Sequence, residues 1–95
     1  MKIAFDRTAE SELASQIDYM IEQGAGRAGR RLEQRLIHFL QNTIVRYPRS
    51  GTFVAHRDLW ETWVPHTRFV IWYRFTTDEL QVVRLWHSSQ DRQRS

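Results

Sequence analysis

The 95 residues, of which 41% are hydrophobic and 26% charged, predict one globular domain spanning residues 1–95. The absence of cysteine excludes a disulfide framework and a thiolate zinc site, and no apolar run is long enough to cross a membrane. The formal net charge is +3, and arginine supplies 13 of the 14 basic residues.

The first half of the chain begins with a short strand and a helix. Residues 2–5, "KIAF", are apolar and predict the strand. Asp6 or Thr8 can cap the helix that follows. The apolar stripe of this helix repeats at helical spacing and consists of Ala9, Leu13, Ile17, Met20 and Ile21. The N-terminal "MKIAFDRTAE" has no long apolar stretch after it, so it is not a secretory signal, and a cytoplasmic location is expected.

A glycine-rich turn leads to a second helix. "GAGRAG" lacks the lysine of a phosphate-binding loop and no strand precedes it, so it is interpreted as a turn between two helices. The second helix is predicted from about residue 27 to residue 46, and Tyr47-Pro48 ends it because proline disfavours helical geometry in the residue before it. Its buried face is expected to hold Leu32, Leu36, Phe39, Leu40 and Ile44.

The second half of the chain predicts three strands, at 53–64, 69–75 and 80–87, separated by turns. In the middle one, Phe69, Ile71, Tyr73 and Phe75 alternate with more polar positions and should face the helices. Both faces of the last strand are largely apolar, so its orientation stays open. The order strand–helix–helix–strand–strand–strand predicts an α+β fold in which an N-terminal helical hairpin packs on one face of an antiparallel sheet.

This order of elements, together with the C-terminal strands, resembles the RelE/ParE superfamily of toxins from type II toxin–antitoxin systems. The segment "RFVIWYRFTTDELQVVRLWHSSQDR" carries the resemblance, with an aromatic strand, a turn containing Asp78, a valine-rich strand, then His87 and Asp91-Arg92. The helix exit "YPRSG" fits as well. The ParE-like branch is favoured, because no tyrosine follows Tyr73 and "WETWVPH" stands where RelE-like nucleases often carry a basic pair.

The resemblance implies alternative activities. ParE-like members inhibit DNA gyrase by binding, without hydrolytic chemistry. RelE-like members cleave mRNA on the ribosome, and a third possibility is a non-toxic co-repressor bound to its antitoxin. In each case the resemblance implies a cognate antitoxin, contact with operator DNA only through the antitoxin complex, and a homodimer or a hetero-oligomer with the antitoxin.

If the protein is a nuclease, its candidate catalytic residues are Arg68, Arg84 and His87. His87 can serve as general acid or base, and the two arginines can hold the phosphate. In a regular strand, however, Arg84 and His87 lie on opposite faces, and a histidine capping the sheet edge is the structural alternative for His87. No cofactor and no metal is expected, because the four histidines lack ligand spacing and no carboxylate cluster accompanies them.

The arginine excess points to a partner surface. Residues 1–45 carry six basic and six acidic groups, whereas residues 46–95 carry eight and five. The guanidinium suits phosphate or carboxylate, and a compositional preference for arginine is the alternative. If the helices leave one sheet face open, an Arg–Trp–Arg row on it suits an acidic, amphipathic antitoxin segment. The predicted partner-binding residues are Arg68, Trp72, Arg74, Trp60 and Arg92. Core and sheet packing is predicted for Trp86 and for one of Trp60 and Trp63.

Overall fold

The computed structural model describes residues 1–89, which form two helices and five strands. Two predictions, Asp91 and Arg92, therefore lie outside the described residues. The elements in chain order are β1 (Lys2–Phe5), α1 (Arg7–Glu22), α2 (Gly26–Phe39), a π-helical turn (Leu40–Ile44), β2 (Thr52–Val54), a 3-10 turn (Ala55–Arg57), β3 (Leu59–Trp63), β4 (Phe69–Phe75) and β5 (Glu79–His87).

The five strands form one sheet in the order β1-β5-β4-β3-β2. The three pairings among β2, β3, β4 and β5 are antiparallel, but β1 pairs with β5 in parallel, with Lys2 opposite Glu79 and Phe5 opposite Val82. The α+β class and the helical layer are confirmed, whereas the prediction of a wholly antiparallel sheet is wrong. The reason is that the helical hairpin provides the long crossover that a parallel partner requires.

The segment predicted as a single strand at 53–64 is divided into β2 and β3. Between them lies the 3-10 turn, which Asp58 terminates in the left-handed conformation, with φ of 53°. This conformation reverses the chain, so that Val54 pairs with Leu59. The sheet consequently ends in a three-residue strand, which gives it a short free edge.

The helical hairpin agrees with the apolar spacing in most respects. Asp6 is the residue before α1, but its side chain makes no capping hydrogen bond, and it accepts one from the amide of Gln81 instead. The exposed side chain of Ile21 departs from the predicted stripe. The α-helical geometry of α2 ends at Phe39, earlier than predicted, and continues as the π-helical turn. The predicted buried face of α2 is confirmed for Leu32, Leu36, Leu40 and Ile44.

The main core lies between the hairpin and one face of the sheet. Phe69, Ile71 and Tyr73 of β4 are buried in it, which confirms the predicted orientation of this strand. In the last strand, Trp72 is opposite Arg84 and Tyr73 is opposite Val82, so Val83 is the extra residue of a bulge. Because of this bulge, the last strand contributes to both faces. The two faces of β5 could therefore not be assigned from simple alternation.

A second, smaller apolar cluster covers the opposite face of the sheet. It contains Leu59, Val70, Trp72 and Trp86, each no more than 5% exposed. The rings of Trp72 and Trp86 meet edge to face, with centroids 5.1 Å apart. Within residues 1–89, no helix residue belongs to this cluster, so this sheet face is covered by its own side chains.

Tyr73 attaches the chain after α2 to the sheet. Its hydroxyl donates a hydrogen bond to the Pro48 carbonyl oxygen at 2.7 Å and accepts one from the Gly51 N–H at 3.3 Å. A Cβ added to Gly51 would lie 2.7 Å from the Glu61 carbonyl oxygen and from the Tyr73 hydroxyl. Glycine is required here because of this close approach, which places β2 beside β3.

Candidate functional site

A basic concave surface lies between α2 and the loop that joins β3 to β4. It consists of two depressions of about 700 and 300 Å³ that adjoin each other, since both have Arg31, Arg35 and His66 in their walls. No acidic residue of the described chain lines either of them. We call this surface the basic groove, and its ionisable lining consists of Arg31, Arg35, His38, His66, Arg68 and His87.

The walls of the basic groove follow from local structure. Arg31 and Arg35 are four residues apart, which puts both side chains on one face of α2. The Arg35 guanidinium donates to the His66 carbonyl oxygen at 3.1 Å, and this contact joins the helix to the opposite loop. His66 has φ of 62°, a left-handed conformation that is uncommon for a residue with a side chain. The Thr67 hydroxyl donates to the Val64 carbonyl oxygen at 2.8 Å and accepts from the Phe69 N–H at 3.0 Å, which fixes the turn.

His87 lies at the end of β5 in the wall of the basic groove. Its ring packs edge to face on Phe69, with centroids 5.2 Å apart. Its Nδ1 lies 2.8 Å from the Ser89 hydroxyl and accepts a hydrogen bond from the Ser89 N–H at 3.2 Å. The imidazole is thus positioned by packing and by a local turn. The structure brings His87 and Arg68 to the same depression, as a nuclease site would require.

Arg84, the third nuclease candidate, does not line the basic groove. Its Nη2 lies 2.9 Å from Glu12 Oε2 on α1, and its Nε donates to Glu12 as well. Hydrogen bonding to Glu12 raises the pKa of Arg84, while burial acts in the opposite direction. Arg84 is opposite Trp72 and His87 is opposite Phe69, so their side chains leave the sheet on opposite faces. The expectation that these two groups diverge is confirmed.

The expected Arg–Trp–Arg row is not an open surface. Trp72 is only 5% exposed, and its indole N–H donates to Glu61 Oε2 at 2.7 Å. The Arg57 guanidinium lies over its ring, 5.5 Å from the centroid. Arg74 is exposed, but it donates to the carbonyl oxygens of Asp58 and Arg57, at 3.2 and 3.4 Å. Trp72 and Arg74 therefore stabilise the turn between β2 and β3.

Trp60 lies on the helix-facing side of the sheet, beyond the part that the hairpin covers. Its ring contacts Phe53 at 5.2 Å and Phe75 at 5.9 Å between centroids, and Phe53 is 48% exposed. We call Phe53, Trp60 and Phe75 the aromatic row. The Arg49 guanidinium lies 5.9 Å from the Phe75 centroid. Trp60 is half-buried, whereas Trp63 is 55% exposed on the opposite face, so of these two tryptophans Trp60 packs on the core and Trp63 does not.

Sequence reasoning missed Arg31, Arg35 and His66 as members of one surface. The spacing of the two arginines was a usable signal, because both fall outside the apolar stripe of their helix and on one face. Nothing local in the sequence indicated that His66, more than thirty residues away, would meet them. The contact between His66 and these arginines depends on how the helical hairpin packs on the sheet.

Two further observations concern the described residues as a group. Within residues 1–89, no three histidine, aspartate or glutamate side chains are placed together where they could bind a metal ion. No helix in the same range has the length and apolar character needed to span a membrane.

The element order, the hairpin on one sheet face and the basic groove define a small α+β protein of the RelE/ParE class. The chain belongs to the ParE toxin family, since the family model described as "ParE toxin of type II toxin-antitoxin system, parDE" matches residues 3–92. A solved structure described as "Chromosomal ParDE TA system from P. aeruginosa" has a similar fold, with a TM-score of 0.72 and 16% identity over 92% of this chain and 95% of that chain. No curated protein sequence matches this chain.

Proposed function

We propose that this toxin inhibits DNA gyrase by binding, without breaking a covalent bond of its target. Membership of the ParE family supports a toxin of this kind. The observation that carries the mechanism is the position of Arg84, which is paired with Glu12 and lies away from His87 and Arg68. The predicted set of three nuclease residues is therefore divided between two faces of the sheet.

This division matters because RNA cleavage through the 2′-hydroxyl needs several groups at one phosphate. A base, an acid for the leaving group and cations at the developing charge must converge within hydrogen-bonding reach. The basic groove offers cations and histidines, but Glu12 keeps Arg84 from joining them. Inhibition by binding requires a complementary surface only, which the groove and the aromatic row provide.

A cognate antitoxin is the second partner in this proposal. An acidic, amphipathic segment that folds as it binds would match the arginines and the exposed aromatic side chains. Among the predicted contacts, Arg68 and Arg74 are exposed and Trp60 is half-buried, whereas the burial of Trp72 favours a role in packing. We propose that the protein acts in the cytoplasm and meets operator DNA only through its antitoxin complex.

The test is a comparison of two activities of the purified protein. We expect it to inhibit ATP-dependent supercoiling of relaxed plasmid by gyrase, and to leave mRNA intact on translating ribosomes. In cells, expression should stop replication and induce the DNA-damage response. Rapid cleavage of mRNA at codon positions, with unimpaired supercoiling, would contradict the proposal.

One observation favours the ribosome-dependent nuclease as a second candidate. Arg68 and His87 line the same depression, together with Arg31 and Arg35. A nuclease that used these four side chains would not require Arg84. The candidate predicts products with a 2′,3′-cyclic phosphate, and their absence under conditions in which the protein is toxic would reject it.

A further inference from the structure

The basic groove combines three properties that are unusual together on a small protein. Arginines enter it from two separate parts of the fold, α2 and the start of β4. No acidic side chain of the described chain lines it, although the whole sequence carries 11 acidic residues. Its wall includes a histidine in a left-handed conformation, whose carbonyl oxygen is held by Arg35. The cations therefore line a concave surface whose loop wall is held in place by the hydrogen bond from Arg35.

The spacing of these cations suits a linear anion. Arg31 and Arg35 are separated by about 6 Å along the helix axis, from a rise of about 1.5 Å per residue. This separation is comparable to that of successive phosphates in an extended nucleic acid strand. Arg68 lies across the groove on the loop that leads into β4, so a chain running along α2 would meet cations from both walls as it passes over the Arg35–His66 hydrogen bond. One guanidinium can donate two parallel hydrogen bonds to one phosphate, which favours this arrangement.

We propose that the basic groove binds the phosphodiester backbone of a single-stranded nucleic acid. The cations line a concave surface, which suits a single strand better than the convex surface of a duplex. His38 is exposed and Phe39 is partly exposed along the same wall, so their rings are available for bases to stack on. Because contacts to phosphate carry no sequence information, the binding is expected to be independent of sequence.

An acidic peptide is the competing occupant, and the fold disfavours one that binds here in an extended conformation. An extended peptide gains affinity by adding to a free strand edge, and the free edges of this sheet belong to β1 and β2. The basic groove lies between α2 and the β3–β4 loop, so its wall offers side-chain cations and no strand edge. The inference does not depend on the gyrase proposal, because nucleic acid binding can be measured with the toxin alone.

The experiment is fluorescence anisotropy with labelled oligo(dT) and oligo(rU) of 12 nucleotides, titrated with the purified protein at several salt concentrations. We expect both strands to bind, with a logarithmic salt slope of about −2 for three phosphate contacts at about −0.7 each. The double variant Arg31→Gln/Arg68→Gln should bind at least tenfold more weakly and lose about 1.4 of that slope. Arg27→Gln/Arg30→Gln is the matched control, since both residues are exposed on α2 and do not line the groove.

The outcomes separate the proposal from its alternatives. If Arg27→Gln/Arg30→Gln binds as tightly as the wild type and Arg31→Gln/Arg68→Gln binds more weakly, the phosphodiester site is supported. Equal losses in the two double variants would mean that net charge alone is responsible, and would overturn it. Competition by poly-glutamate as effective as competition by unlabelled oligo(dT) would assign the groove to acidic peptides. Equal affinity for a 12-base-pair duplex would overturn the single-strand assignment. Circular dichroism confirms in each case that the variant is folded.

Discussion

Glu12 of α1 accepts two kinds of hydrogen bond from β5, one from the Arg84 side chain and one from the Leu85 backbone. The Arg84 contacts are 2.9 to 3.1 Å long, and the Leu85 N–H lies 3.0 Å from Oε1. β1 pairs with β5 only as far as Val82, so Leu85 has no strand partner on that side. The carboxylate satisfies this N–H in place of a neighbouring strand, and it attaches the first helix to the last strand.

Removing this carboxylate should lower stability. We expect Glu12→Ala to reduce the free energy of unfolding by about 1–3 kcal/mol, because a partly buried N–H and a guanidinium lose their acceptor. Since the side chains of Arg84 and Glu12 are 33% and 22% exposed, solvent screening keeps the ion pair itself near the low end of this range. Urea unfolding measures the change, with Glu33→Ala on the exposed face of α2 as the control. Equal stability of the two variants would show that the Glu12 contacts contribute nothing.

The buried phenol of Tyr73 should make stability depend on alkaline pH. Burial raises the pKa of Tyr73 above its ordinary value of 10.0, and the hydrogen bond from Gly51 acts in the opposite direction. A raised pKa means that the folded state holds the proton more tightly than the unfolded state does. The free energy of unfolding is therefore unaffected by this group below pH 10 and declines as the pH rises through the folded-state pKa.

Tyr73→Phe tests that linkage. At neutral pH we expect a loss of about 1–3 kcal/mol, because the partly buried Pro48 carbonyl oxygen loses its donor. Above pH 10 the variant should lack the part of the decline that Tyr73 causes, so that the two stability curves converge. Denaturant unfolding at a series of pH values measures both effects. A Tyr73→Phe curve that stays parallel to the wild-type curve would contradict this assignment, and Tyr19→Phe at an exposed position serves as control.

Gly51 should not tolerate even a methyl group. A Cβ at this position would lie 2.7 Å from a backbone carbonyl oxygen of β3 and from the Tyr73 hydroxyl. The carbonyl belongs to the sheet and has little freedom to move, so we expect Gly51→Ala to cost about 1–3 kcal/mol of stability. Gly24→Ala is an unsuitable control because Gly24 has φ of 78°. Gly26→Ala is suitable, since a Cβ there meets only the Ile21 side chain at 3.8 Å. Equal thermal stability of Gly51→Ala and Gly26→Ala would contradict the steric argument.

His87→Ala distinguishes inhibition by binding from catalysis. If no proton transfer is involved, we expect the variant to retain its toxicity within a few-fold, because His87 contributes packing on Phe69 and a local turn. Removing a general acid or base typically lowers a rate by about 10² to 10⁴. Growth inhibition and gyrase supercoiling are the measurements, with unfolding of the same variant measured in parallel. A loss of more than a hundredfold in a stably folded variant would indicate catalysis.

Trp60→Ala should weaken binding of the antitoxin. A half-buried tryptophan next to exposed Phe53 is a suitable anchor, and truncation at an interface hot spot typically costs about 2–4 kcal/mol. We expect titration calorimetry of the purified pair to show a dissociation constant raised by at least thirtyfold, which corresponds to about 2 kcal/mol. Tyr19→Ala, an aromatic residue 60% exposed on α1, is the matched control. Unchanged affinity in a folded Trp60→Ala variant would place the antitoxin elsewhere.

Much of the layer structure was predictable from spacing in the sequence. Phe69, Ile71 and Tyr73 alternate strictly, and a strand that faces a helical layer on one side requires that pattern. The apolar stripe of α2 was equally informative. The family resemblance added the ParE class, which composition and periodicity alone did not indicate.

The parts that sequence could not predict depend on contacts between distant residues. In the alternation of inward and outward positions along β4, Trp72 falls at an outward position. Only the packed structure shows that Trp86, Arg57 and Glu61 enclose it. The parallel partner of β1 is set by the crossover of the hairpin, which no local pattern records. The bulge at Val83 shifts the alternation of β5 midway, so a single parity rule could not describe that strand.

The parallel pairing of β1 with β5 also determines at which stage of its synthesis the toxin can complete its fold. β1 leaves the ribosome before the other described elements, while its partner strand β5 is the last of them. Long-range parallel pairing forms late, because the loop between the strands must be closed first. A nascent toxin therefore exposes the unpaired edge of β1 until β5 has been synthesised and has left the ribosome. The hairpin can form earlier from local contacts, but the surface built by β3, β4 and β5 arises only after β5 is available.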